Sequence, residues 1–134
     1  MSDTSYAGYH GYKKLEKTHP YAGRVLIGIS PDNGKPFYAD IHDSGVRKWD
    51  EAQAFAAGVR GRLPTAAELE MILKVQDKGD LKGTFGLVRN PPDAAWYWTS
   101  TKGHVDGHVI VYRTNGSRAG SSTRDNGSCR VVFE

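Results

Sequence analysis

Residues 61–69, Gly-Arg-Leu-Pro-Thr-Ala-Ala-Glu-Leu, constrain the fold of this 134-residue chain more than any other stretch. The hydroxyl of Thr65 can cap a helix, and Glu68, three residues on, can reach back to the Thr65 amide. Two otherwise unpaired N–H donors are then satisfied reciprocally. Pro64 precedes the cap and can pack on Leu69 as a hydrophobic staple, while Leu69, Ile72, Leu73 and Gln76 follow at helical spacing. The pattern predicts a helix over residues 66–76.

A second helix is predicted over residues 49–60, where Trp49, Ala52, Phe55, Ala56 and Val59 keep the same spacing and Asp50 and Glu51 stand at the positive helix end. Both apolar stripes are narrow and run into small residues, as suits helices lying on a sheet. Strands are expected at residues 24–29 and 35–41, joined as a hairpin through the turn cluster at 30–34. Another turn follows at 42–45, where His42 and Asp43 read as a surface pair, because adjacent residues in a turn point apart. Trp96, Tyr97 and Trp98 alternate in a strand, so the tryptophans share one face, as core fillers or as a stacking platform, and Tyr97 takes the other. Residues 107–113 form the next strand, with His108, Ile110 and Tyr112 on one side, and Asn115-Gly116 supplies a hairpin turn. Residues 128–133 return to the sheet as the last strand. The class is α+β: two helices packed on a small, twisted, mostly antiparallel sheet with long loops.

The length fits one domain with a core of its own. Residues 1–22 form a Tyr/Gly-rich arm, with Tyr6, Tyr9 and Tyr12 as candidate partner contacts, and residues 23–134 form the domain. Such an arm docks either on a neighbouring subunit or on its own domain. A single cysteine, Cys129, precludes an internal disulfide and is compatible with a reducing compartment. No apolar run approaches the roughly 18 residues of a membrane span and no signal peptide is expected, which points to the cytoplasm or a virion. The net charge of +3 and pI near 9.0 suit an acidic partner, but the lysines and arginines are scattered and no nucleic-acid motif accompanies them. A solvated surface is therefore expected, without nucleic acid or membrane as partner.

No cofactor or catalytic residue is expected. His10, His19, His42, His104 and His108 lack metal-ligand spacing, Ser121 and Ser122 lack a nucleophile elbow, and no glycine loop of the phosphate-cradling type is present. Residues 117–128 have almost nothing to bury. Their small hydroxyls, two arginines, Asp125 and Asn126 offer adaptable hydrogen bonding, so the segment is expected to be exposed, as an ordinary polar loop or as a binding surface.

The run Arg62-Leu63-Pro64-Thr65 with Glu68-Leu69 resembles the signature of a branch of the C-type-lectin-like superfamily, the DUF1566 or Lcl C-terminal domains related to the formylglycine-generating enzymes. Trp49-Asp50-Glu51-Ala52 is similar to the start of that family's first helix, residues 96–101 to its aromatic central strand, and residues 129–132 to its closing strand. The resemblance covers residues 37–134. Two departures stand out: Gly61 occupies a place where the family usually has Trp, and Lys48 one where many members have a Ser or Thr cap. The resemblance implies a C-type-lectin-like fold in which an early strand pairs near the closing one.

The enzymes of this superfamily use a cysteine pair with copper, so one cysteine argues against that chemistry. The segment at 90–93, Asn-Pro-Pro-Asp, is faintly similar to the calcium motif of C-type lectins, but the oxygen ligands are too few and no metal is expected. In phage ligand-binding relatives the variable binding residues lie in the C-terminal part. That places a candidate ligand site on Tyr112, Arg113, Asn115, Arg118, Ser121, Ser122, Arg124, Asp125 and Asn126. The expected function is a non-enzymatic module, bacterial or from a bacteriophage, recognising a protein or a glycan. The alternatives are a virion or assembly component held by its arm, as a homo-oligomer or beside a virion neighbour, and an intracellular phage factor that inhibits a host protein.

Overall fold

The computed structural model describes residues 12–15, 23–85, 96–103 and 107–134, and it is mixed α+β. The chain runs β1 (Arg24–Ile29), β2 (Pro36–Asp40), β3 (Val46–Arg47), α1 (Trp49–Gly58), α2 (Ala66–Lys74), a 3-10 turn (Gly79–Leu81), β4 (Trp96–Lys102), β5 (His108–Arg113), β6 (Arg118–Ser122), β7 (Gly127–Ser128) and β8 (Val132–Phe133). These strands form two sheets, one of order β1-β2-β8 and one of order β3-β7-β4-β5-β6, in place of the single sheet expected. The division arises at the end of the chain. Residues 128–133 do not run as one strand: Ser128 pairs with Val46 and Tyr97, and the backbone then crosses so that Val132 and Phe133 pair with Ala39 and Tyr38.

The β1–β2 hairpin closes as its turn residues require. The Ser30 amide donates to the Lys35 carbonyl and the Gly34 amide to the Ser30 carbonyl, with Gly34 at φ +72, where a side chain is disfavoured. Alternation along the larger sheet then divides the core. Tyr97, Ile110 and Tyr112 face α2 and pack with Leu69, Ile72, Leu73, Phe37 and Val132. Trp98, Val109 and Val111 face the other way and pack with Ala52 and Ala56 of α1 and with Leu63, Cys129, Val131 and Phe133. Trp98 and Tyr97 therefore occupy opposite sides, as the alternation predicts. Trp98 is anchored by donating from Nε1 to the Arg47 carbonyl, and Trp49 of α1 donates from Nε1 to Thr99.

The capping box of α2 forms as read: the Glu68 amide donates to Thr65 Oγ1 and the Thr65 amide to Glu68 Oε1. The helix ends at Lys74, two residues short of Gln76, because Gln76 uses its side-chain amide to cap, donating to the carbonyls of Leu73 and Thr114. In α1 half of a capping box suffices. Lys48 has no side-chain acceptor, yet its amide donates to the Glu51 carboxylate.

Gly61 has a packing role that explains why no larger residue stands there. A Cβ on it meets the Val131 side chain, the Val132 carbonyl at 2.7 Å and the Phe133 ring at 2.8 Å. The close approach lets the neighbouring Arg62 and Val132 exchange backbone hydrogen bonds of 2.9 Å, which bridge the α1–α2 connection to β8. Gly61→Ala is expected to lower stability by about 2 kcal/mol, the scale of an overpacked core. Urea denaturation measures this, and an unchanged midpoint would show that β8 yields freely.

The segment at 117–128, expected as an exposed loop, is largely strand. β6 pairs with β5 from His108↔Ser122 to Tyr112↔Arg118, and Gly127 and Ser128 are buried between β3 and β4. Backbone ladders need no apolar side chains, and Gly127 is chosen for size: a Cβ there meets the Trp98 indole at 3.1 Å.

Candidate ligand-binding site

The nine residues proposed as a C-terminal binding surface are distributed by the strand geometry over different places. Tyr112 belongs to the core. It is 2% exposed, faces α2, and its hydroxyl donates to Glu70 at 3.3 Å; burial, and then the Glu70 charge, raise its pKa. The period-2 alternation of β5 turns Tyr112 to the α2 side and Arg113 to the other, and on the α2 side Tyr112 and Asn115 line a separate cleft with Glu70, Lys74 and Gln76. Asn115 and Ser122 are occupied in building turns. Asn115 Oδ1 accepts from the Ser117 amide, and Ser122 Oγ accepts from the Arg124 amide. Arg118 and Arg124 are exposed, on β6 and in the turn that follows it.

Ser121, Asp125 and Asn126 do converge. With Gly120 and Trp96 they line a cleft of about 320 Å³ on the sheet face that carries α1. Ser121 Oγ donates to Asp125 Oδ2 at 2.9 Å, and the Asp125 amide donates to the Ser122 carbonyl, which fixes the carboxylate at the rim. Trp96, half-buried at the start of β4, supplies the aromatic wall. The Arg113 guanidinium stacks over its ring at 4.2 Å from the centroid, because the two residues are directly paired across β4 and β5. Trp96 was expected, with Trp98, as a core filler or a stacking platform, and was not one of the nine ligand residues. Its position sets it apart from Trp98: it opens β4 and is only partly buried, whereas Trp98 is enclosed.

Two polar clusters elsewhere are structural. Arg130, fully buried, donates to Asp43 Oδ1 from both Nε and Nη2, to the Asp40 carbonyl and Thr84 Oγ1 from Nη1, and to the Thr84 carbonyl, with Phe85 beneath it at 4.0 Å. Asp43 also accepts from the Tyr97 hydroxyl at 2.7 Å. The expected surface pairing of His42 with Asp43 is therefore replaced: His42 is exposed, while Asp43 turns inward to a buried guanidinium. In the second cluster Arg62 grips Glu68 with two bonds, of 2.6 and 2.8 Å, and reaches Glu134 at 3.0 Å. Thr65 Oγ1 donates to Asp32, tying the cap to the β1–β2 turn. The signature residues that suggest a family are thus used up in folding.

Cys129 is buried and its thiol is pushed up to about 11, chiefly by burial, so it stays protonated at neutral pH. Among the described residues no three His, Cys, Asp or Glu side chains stand close enough to hold a metal ion, and no helix is long and apolar enough to cross a membrane. Tyr12 packs against the α2-side core, and Lys14 bridges to Val25; Tyr6, Tyr9 and residues 90–93 lie outside the described residues. Comparison with known protein families and with characterised protein sequences gives no match.

Proposed function

We propose that this chain is a non-enzymatic binding module of C-type-lectin-like fold that holds a glycan in the Trp96 cleft. The observation that carries the reading is the juxtaposition of an indole with Ser121, Asp125 and Asn126 around one open cleft. A sugar ring presents an apolar C–H face, which suits an aromatic wall, and an equatorial belt of hydroxyls, which suits a carboxylate, an amide and a hydroxyl. Arg113, lying on the indole, steadies the ring. The fold assignment draws support from the pairing of β2 with β8 and from the aromatic β4 at the centre of the larger sheet.

The test is a glycan array probed with the labelled protein, followed by titration of the best binder. Trp96→Ala is expected to reduce affinity at least about tenfold, and Asp125→Asn by a smaller factor, with far-ultraviolet circular dichroism unchanged. Binding that survives Trp96→Ala would place the ligand elsewhere. Silence across the array, with capture of a defined protein that Trp96→Ala abolishes, would replace the glycan with a protein loop at the same cleft.

A further inference from the structure

β6 is an edge strand of the larger sheet, and its register with β5 is continuous from end to end. Two hydrogen bonds settle which of its backbone groups face inward. The Arg113 amide donates to the Ser117 carbonyl at 2.8 Å and the Thr123 amide to the Gly107 carbonyl at 3.0 Å. In an antiparallel ladder the hydrogen-bonded pairs alternate, so residues 117, 119, 121 and 123 address β5 and Arg118, Gly120 and Ser122 address the open side. The Ser122 carbonyl accepts from the Asp125 amide. The backbone groups of Arg118 and Gly120 and the Ser122 amide are left without a backbone partner among the described residues.

Exposed edges are ordinarily blunted by a proline, a bulge or a covering segment. β6 has no proline and no register shift, and no described strand covers it. Its side chains at Gly120, Ser121 and Ser122 are small, so another backbone can approach closely. The charge along it is mainly positive: Arg118 and Arg124 are exposed on β6 and in the turn after it, Arg113 stands on the neighbouring β5, and the one carboxylate of the turn, Asp125, is oriented by Ser121. A second copy of the chain would bring these arginines against their like, which disfavours self-pairing.

We infer that the open edge of β6 takes an extended acidic peptide as an added strand of the larger sheet. Main-chain hydrogen bonds to Arg118, Gly120 and Ser122 supply register, and the flanking arginines select carboxylates. Gly120 belongs both to this edge and to the lining of the Trp96 cleft, but the peptide is held by outward backbone groups and the cleft by side chains on a sheet face, so this inference does not depend on the glycan reading.

The experiment is fluorescence anisotropy of the full chain with a fluorescein-labelled peptide, Glu-Val-Glu-Val-Glu-Val-Glu, alongside Glu-Pro-Glu-Pro-Glu-Pro-Glu of equal charge. Saturable binding of the first, at least about tenfold weaker binding of the second, and weakening by salt are expected. Arg118→Pro removes an outward amide while leaving the β5 ladder intact, and Arg118→Glu with Arg124→Glu reverses the charge; each is expected to lower affinity about tenfold or more. Equal binding of both peptides would reduce the effect to charge alone and overturn the inference, as would absence of saturable binding. A concentration-dependent dimer, abolished by Arg118→Pro, would show that the edge pairs with itself and would overturn it too. The two-peptide comparison decides the matter even if a variant fails to fold.

Discussion

Arg130→Ala is expected to cost about 3–5 kcal/mol of folding stability, the penalty for removing one partner of a buried, hydrogen-bonded charge pair. All five N–H donors of the guanidinium are engaged, and from its place between β7 and β8 Arg130 ties together two other segments: Asp40 at the end of β2 with Asp43 beyond it, and Thr84 and Phe85 after the 3-10 turn. Its loss leaves the half-buried Asp43 carboxylate with the Tyr97 hydroxyl as its side-chain donor among the described residues. A domain of this size has only about 5–15 kcal/mol in hand, so the melting temperature is expected to fall by roughly 10–20 °C. Arg130→Lys is expected to recover little, because a lysine head is a point donor and not a fork. Thermal melts followed by circular dichroism decide the matter, and a shift of only a few degrees for Arg130→Ala would mean that water replaces the guanidinium at no great cost.

The second large effect is expected at Glu68. Burial alone would raise its pKa, but hydrogen bonds from Arg62, Ser30 and the Thr65 amide outweigh burial and hold it below the ordinary value of 4.5. A carboxylate whose folded pKa is depressed contributes stability above its unfolded pKa and loses that contribution as pH falls through the folded one. The wild-type domain is therefore expected to weaken from about pH 5 downward, in part through this residue. Glu68→Gln cannot accept two charge-assisted bonds from Arg62 and is expected to cost about 3 kcal/mol at pH 7. The same variant is expected to show a flatter decline on acidification, so the two stability curves converge at low pH. Parallel curves from urea titrations at stepped pH would detach Glu68 from the acid transition.

What could be read from the chain without coordinates was what depends on neighbours in sequence. The Thr65–Glu68 capping box, the Ser30–Gly34 turn, the alternation of Tyr97 and Trp98 and the Asn115-Gly116 turn each involve residues a few positions apart, where spacing and stereochemistry leave few outcomes. The Arg130–Asp43–Thr84 cluster has no such signature, because three polar residues far apart along the chain become partners only when the sheets are assembled. Gly127 misled for a related reason: a buried strand residue without a side chain carries no hydropathy signal, and its fitness is that Trp98 lies against it. The candidate site was half legible. Composition singled out Ser121, Asp125 and Asn126, while the face of β5 occupied by Tyr112 and the reach of Trp96 to the cleft depend on tertiary register.

The placement of β7 and β8 bears on how such a chain is made in a cell. β7 sits between β3 and β4, and β8 completes the smaller sheet by joining β2, although both arise from residues 127–133. Until that segment leaves the ribosome, β3 has no neighbour, and Trp98 and Val111 lack the Cys129, Val131 and Phe133 side chains that shield them. Closure also joins Tyr38 to Phe133, a pairing of residues far apart in sequence, and such contacts form slowly. Both halves of the core therefore wait on the same seven residues, 127–133, before they can consolidate. Until residues 127–133 are in place, the unfinished sheets expose apolar surface of the kind that chaperones bind.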